Sequence, residues 1–185
     1  MKKYALIIIL SCLNLTLFGQ QKKYFLEITF YDGDFKGTHV FYPEKGNYMS
    51  QINLEYFEGT SNLNASKLIA DNGMQIHYIN RHFKGEATLG KHNAKKYTSG
   101  CGSFNFIDIK NNQPYKKIDG DFSGCTSTTI TKVSNWKKGI VKNKRTVSGN
   151  FTDTVTFKYR MDNGSKKTIN TKVSVKFKAR ESRRF

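Results

Sequence analysis

The sequence predicts an all-β domain, an antiparallel β-sandwich or open barrel built from hairpins, preceded by a signal peptide. Three observations carry that expectation. Apolar and polar residues alternate with a period of two through much of the 185-residue chain, whereas amphipathic helices repeat every three to four residues. Thr, Val, Ile, Phe and Tyr dominate those runs and suit a pleated, half-buried surface. Glycine-containing turn signals, including two Asp-Asn-Gly triplets, separate the runs.

Residues 1–19 read as the signal peptide. Met1-Lys2-Lys3 supplies a positive start, residues 4–18 are largely apolar, and small Gly19 precedes the polar Gln20-Gln21-Lys22-Lys23. Leu17 departs from the small-x-small cleavage pattern. A membrane anchor is the alternative, but the apolar stretch is short of the roughly twenty residues a helical span needs. Lipidation is another, because Ile9-Leu10-Ser11-Cys12 resembles a lipobox. The residues after Cys12 stay apolar where a lipoprotein usually has a polar tether. The chain is therefore expected to be exported, periplasmic or extracellular, with outer-membrane association through Cys12 the lesser reading. Residues 20–185 suit one domain around one core.

Loss of Cys12 with the signal leaves Cys101 and Cys125, each in a Ser-Gly-Cys tripeptide. An even count in an exported chain points to a disulfide. A catalytic or metal-binding thiol pair would be spaced more closely, as in C-x-x-C.

The strands follow in order. Tyr24, Leu26, Ile28 and Phe30 share one face, and Ile52, Leu54 and Tyr56 share another. Pro43 and Pro114 lie in turn-like contexts. The two Asp-Asn-Gly triplets can be tested for register. A two-residue Asn163-Gly164 loop would set Val155 against Lys172 and mix the faces, which a half-buried sheet does not tolerate. A three-residue loop with a left-handed Gly164 instead sets Phe157 against Ile169, Val155 against Thr171 and Phe151 against Val175. The same loop at Asp71-Asn72-Gly73 sets Leu68 against Ile76 and Ala70 against Met74. Four Gly-x-Phe triplets, ending in Phe35, Phe104, Phe122 and Phe151, read as a turn or bulge followed by an inward Phe that begins a strand.

Charge is the strongest functional signal. The chain carries a formal +17. Residues 20–131 hold 13 Lys/Arg against 11 Asp/Glu, whereas residues 132–185 hold 16 against 3. In the bulged register the solvent face of the last hairpin gathers Lys158, Arg160, Lys166, Lys172, Lys176, Lys178 and Arg180, with no carboxylate in the row. The levels of Lys158 and Lys176 lie eight residues apart, roughly 26 Å. Arg160 opposite Lys166 is a like-charge pair and mildly destabilising. The fold does not need these charges.

The signal and the strands "KKIDGDFSG" and "KRTVSGNFTDTVTF" resemble small secreted or envelope proteins of Bacteroidota that carry repeated "SGTFSF"-like strands. The resemblance covers mainly residues 116–157 and the signal. It implies a β-sandwich-like domain and transfers no catalytic residue. The basic C-terminal third is not part of it.

Catalytic signatures are sparse. His39, His77, His82 and His92 form no recognised metal-ligand spacing, and neither a metal nor a cofactor is expected. His77, Arg81, His82 and Glu86 would make an acid–base set for a secreted, ribonuclease-like hydrolase. The odd spacing of His77 and His82 would put them on opposite faces of a regular strand. A small-ligand barrel is a further alternative, given fourteen Phe, ten Tyr and one Trp. Trp136, in a turn context, is far from where a lipocalin carries its Gly-x-Trp. The leading expectation is a non-enzymatic envelope or extracellular module whose basic hairpin face binds a polyanion: lipid headgroups, acidic polysaccharide or nucleic acid. A charge guard on a sheet edge is the competing reading.

Overall fold

The computed structural model describes residues 23–33, 35–98, 100–110, 113–160 and 166–184. The expected signal peptide, Cys12 and the Asp162-Asn163-Gly164 loop lie outside these residues. The described residues form eleven strands: β1 (Phe25–Phe30), β2 (Gly37–Pro43), β3 (Gln51–Phe57), β4 (Thr60–Ala70), β5 (Gln75–Lys84), β6 (Gly90–His92), β7 (Ser103–Lys110), β8 (Gln113–Phe122), β9 (Thr128–Val133), β10 (Lys142–Arg160) and β11 (Lys166–Arg184). The fold is all-β, and the strands join one sheet. Among the described residues no helix is long and apolar enough to cross a membrane.

The hairpin registers are those the alternation demands. Phe157 pairs with Ile169, Val155 with Thr171, Phe151 with Val175 and Arg160 with Lys166. At the earlier hairpin Leu68 pairs with Ile76, and the Ala70 amide donates to the Met74 carbonyl. Gly73 adopts φ 84°, the left-handed conformation this turn requires. Matching buried faces across both strands fixes the register, because a one-residue slip would turn every apolar side chain outward.

The sheet is mixed, which corrects the purely antiparallel expectation. β3 runs parallel to β11, with Asn53 level with Arg180 and Leu54 with Glu181. The other ladders are antiparallel among the described residues. Followed from strand to strand, the pairings β1–β2–β4–β5–β7–β8–β10–β11 return to β1. β3 fits between β11 and β4 beyond the ends of β1 and β2. β9 and β6 extend the sheet from the first half of β10.

The enclosed side is apolar. Leu26, Ile28 and Phe30 from β1 meet Val173, Val175 and Phe177 from β11 and Phe151, Val155 and Phe157 from β10. Phe104, Phe122 and Phe151 of the Gly-x-Phe triplets are buried and Phe35 is partly so. Only Phe104 lies at the start of a strand; Phe122 closes β8 and Phe151 sits inside β10. The inward direction was legible, and the strand-start role was not. Cys101 and Cys125 form a disulfide, with Cα atoms 5.4 Å apart.

Candidate anion-binding face

β10 and β11 are 19 residues each and pair along their whole length. Their alternation puts Asp153, Val155 and Phe157 inward and Thr152, Thr154 and Lys158 outward. On β11, Val173, Val175 and Phe177 are buried while Lys172 and Lys176 are exposed and Lys178 and Arg180 are half-buried. Five of the seven expected cations thus share the outward face. Arg160 and Lys166 pair through their backbones at its far end.

The row is less purely cationic than the hairpin alone suggests. β1 lies beside β11 and sets Glu27 against Lys176, with Nζ 2.8 Å from Oε1. That hydrogen bond, and the Glu27 charge after it, raise the Lys176 pKa. β8 lies beside β10 and sets Asp119 against Lys158 and Asp121 against Thr156. Alternation within one hairpin cannot reveal carboxylates on the flanking strands. Lys172 Nζ lies 5.3 Å from the Tyr31 ring centre. Arg180 leaves the row to line a cleft, where its guanidinium donates to Asn53 Oδ1 at 3.2 Å.

The acid–base set is dispersed. Arg81 points inward, fully buried, and its Nη1 contacts Asp153 Oδ2 at 2.6 Å. Glu86 is bound by Arg145 and Arg183. His82 is half-buried on the outside, bonded through Nδ1 to Asn62 Oδ1 and stacked edge-on against Tyr97. His77 is exposed and lines a shallow cleft of about 180 Å³ that also contains Glu44. Both histidines face outward, contrary to the odd-spacing expectation. Against β7, the register shifts between Ile76 and Tyr78, and the bulge inserts one residue and resets the alternation.

Burial first, and the Arg81 charge second, lower the His82 pKa. The folded protein therefore holds this proton less tightly than the unfolded chain. The stability linked to neutral His82 is full above the unfolded value of about 6.5 and falls as pH drops below it, until the lowered folded pKa is passed. The melting temperature is expected to fall as the pH is lowered through about 6.5, and less steeply in a His82→Gln protein. Parallel pH profiles for the two proteins would remove His82 from the acid response.

Charged groups on inward positions were missed in the sequence. Asp153 lies between Phe151 and Val155, Arg81 between Ile79 and Phe83, and Glu181 two residues after Ala179, all at the inward parity. The signal was available: an ion on a core-facing position needs a partner from elsewhere in the chain. Among the described residues, no group of three or more His, Cys, Asp or Glu is placed to hold a metal ion. No protein-family model, curated protein or solved structure matches the chain.

Proposed function

We propose that this chain is an exported, non-enzymatic envelope or extracellular module that engages a polyanionic surface through the outward face of the β10–β11 hairpin. One observation carries the reading: the register that buries Phe151, Val155 and Phe157 turns Lys158, Lys172 and Lys176 to solvent on the longest hairpin of the sheet. The apolar leader and the disulfide support export, since such bonds persist in oxidising compartments. The cyclic pairing supports a barrel-like closure over a sandwich with free edges. The gap among Phe30, Phe104, Phe122 and Val175 has no room for a water molecule, so this gap lends nothing to the small-ligand alternative. Among the described residues, the cleft shared by His77 and Glu44 favours the hydrolase alternative.

Charge neutralisation at an exposed face is screened by salt, and for nucleic acid it releases counterions. The protein is expected to stay on immobilised heparin at low salt and to elute as salt rises. A protein with Lys158, Arg160, Lys172 and Lys176 all changed to Ser should elute well before it. Unchanged retention of that variant would discard the reading.

A further inference from the structure

We infer that the polyanionic surface is an anionic lipid bilayer, met end-on by one set of loops whose apolar tips enter the membrane interface. The inference rests on the reading above for the charge of the partner, and it uses a different part of the molecule. The topology brings three connections to one end of the sheet. The β3–β4 turn, Glu58-Gly59, is closed by the pair Phe57–Thr60. The β5–β6 loop is tied to it, because the Gly85 amide donates to the Gly59 carbonyl. The first turn-side residues of β10, which the β9–β10 loop leads into, join them through Arg145, which reaches Glu86 and the Ala87 carbonyl. The end of β11 is there too, since Lys142 pairs with Arg184.

The β3–β4 and β9–β10 connections carry exposed apolar side chains at this end, and the β5–β6 loop carries Leu89 further along the sheet, next to Gly90, which pairs with Ile130. Ile140 is 101% exposed, Val141 69%, Phe57 68% and Leu89 68%. Among the described residues, Tyr48 is the other strongly exposed large hydrophobic residue, and it lies on the β2–β3 loop, apart from this end. An isolated exposed apolar side chain needs no explanation, but several converging on one end mark an interaction surface. The base beneath the tips is fixed. Lys137 and Lys144 exchange backbone hydrogen bonds of 2.8 and 2.9 Å. Trp136 faces the guanidinium groups of Arg145 and Arg183, at 4.4 and 5.1 Å from its ring centre. Arg183 also binds Glu86, and this hydrogen bond foremost holds the Glu86 carboxyl below its usual range. Arg145 in turn binds the buried Glu181. Ile140 and Val141 therefore project from an ion-paired platform.

Charge complementarity selects the occupant. No Asp or Glu occurs between Asp121 and Asp153, and that interval supplies Lys137, Lys138, Lys142 and Lys144 around the two apolar tips. The exposed carboxylates at this end, Glu55 and Glu58, belong to the β3–β4 hairpin. Beside Phe57 opens a cleft of about 550 Å³ lined by Lys142, Arg180, Asn53, Gln51 and Ser182. Glu55 lies on it as well. Arg180 Nε is buried and has no partner, a donor suited to a phosphate oxygen. Apolar tips ringed by lysines, with an arginine cleft behind them, match the acyl boundary and phosphate layer of an anionic leaflet. A soluble acidic polymer would use the lysines and leave the tips in water.

The test is flotation with vesicles of phosphatidylglycerol and phosphatidylcholine, with heparin retention measured alongside. The expected result is binding to phosphatidylglycerol-containing vesicles, little binding to pure phosphatidylcholine, and a blue shift of Trp136 emission on binding. An Ile140→Ser/Val141→Ser protein, altered only at exposed positions, should keep its melting temperature and heparin retention while losing roughly tenfold or more in vesicle affinity. Vesicle binding unchanged by that double substitution would overturn the inference. Concentration-dependent dimerisation abolished by it, without vesicle binding, would overturn it in favour of a second copy of the chain. Heparin retention that survives the four serine changes on the hairpin would instead count against the proposed face.

Discussion

An Asp153→Ala protein is expected to lose about 3–5 kcal/mol of folding stability, read from the urea midpoint at neutral pH. The Arg81–Asp153 pair is fully buried, and removing one partner leaves the other charge without compensation in the core. Arg81 is held on several sides. It donates to the Thr126 carbonyl, and its guanidinium lies 4.7 Å from the Phe151 ring centre and 5.4 Å from that of Phe122. Asp153 is also fully engaged, accepting from the Thr154 amide at 2.7 Å and the Thr126 amide at 3.3 Å. Gly124 leaves the room for it: a β-carbon there would overlap Asp153 Oδ1. Burial is the leading influence on the Arg81 pKa and lowers it, while the Asp153 charge and hydrogen bond oppose it. Replacing both partners, as in Arg81→Met/Asp153→Leu, is expected to cost less than the single change, because no unpaired ion remains. A loss below about 1 kcal/mol in Asp153→Ala would show that the pair does not brace the core.

Removing the disulfide as Cys101→Ala/Cys125→Ala is expected to cost about 3.5 kcal/mol, the loop-closure estimate for the 24-residue separation. The bond ties the segment before β7 to the segment after β8. It also positions Thr126, the next residue, whose backbone serves both Arg81 and Asp153. The two effects therefore share a segment and should not add. Combined with Asp153→Ala, the double cysteine change should cost less than the two losses added together. Strict additivity in urea unfolding would indicate that Thr126 holds its place without the bond.

The parts of this fold legible in the sequence are those decided locally. The Phe157–Ile169 and Leu68–Ile76 registers follow from matching apolar parities across a short loop, and both are found. Pairings set by tertiary context were not legible. The parallel β3–β11 contact spans only Arg180–Asn53 and Glu181–Leu54, and nothing near Asn53 announces it. The bulge that turns His77 and His82 to one side lies inside β5 without a glycine to mark it. The outward cation row was legible because it needs only alternation, whereas Glu27 and Asp119 come from neighbouring strands that alternation does not identify. The inward Asp153, Arg81 and Glu181 were legible in principle, since each breaks an apolar parity that its neighbours keep.

Position, as distinct from net charge, is the core of the account. The direct measurement compares the salt dependence of heparin affinity for two variants that lose the same formal charge. One carries Lys158, Arg160, Lys172 and Lys176 changed to Ser. The other carries the same change at the exposed Lys36, Lys45, Lys91 and Lys96. The account predicts a shallower salt slope and weaker affinity for the first, and near-native behaviour for the second. Equal losses in both would contradict it and leave only a diffuse positive charge.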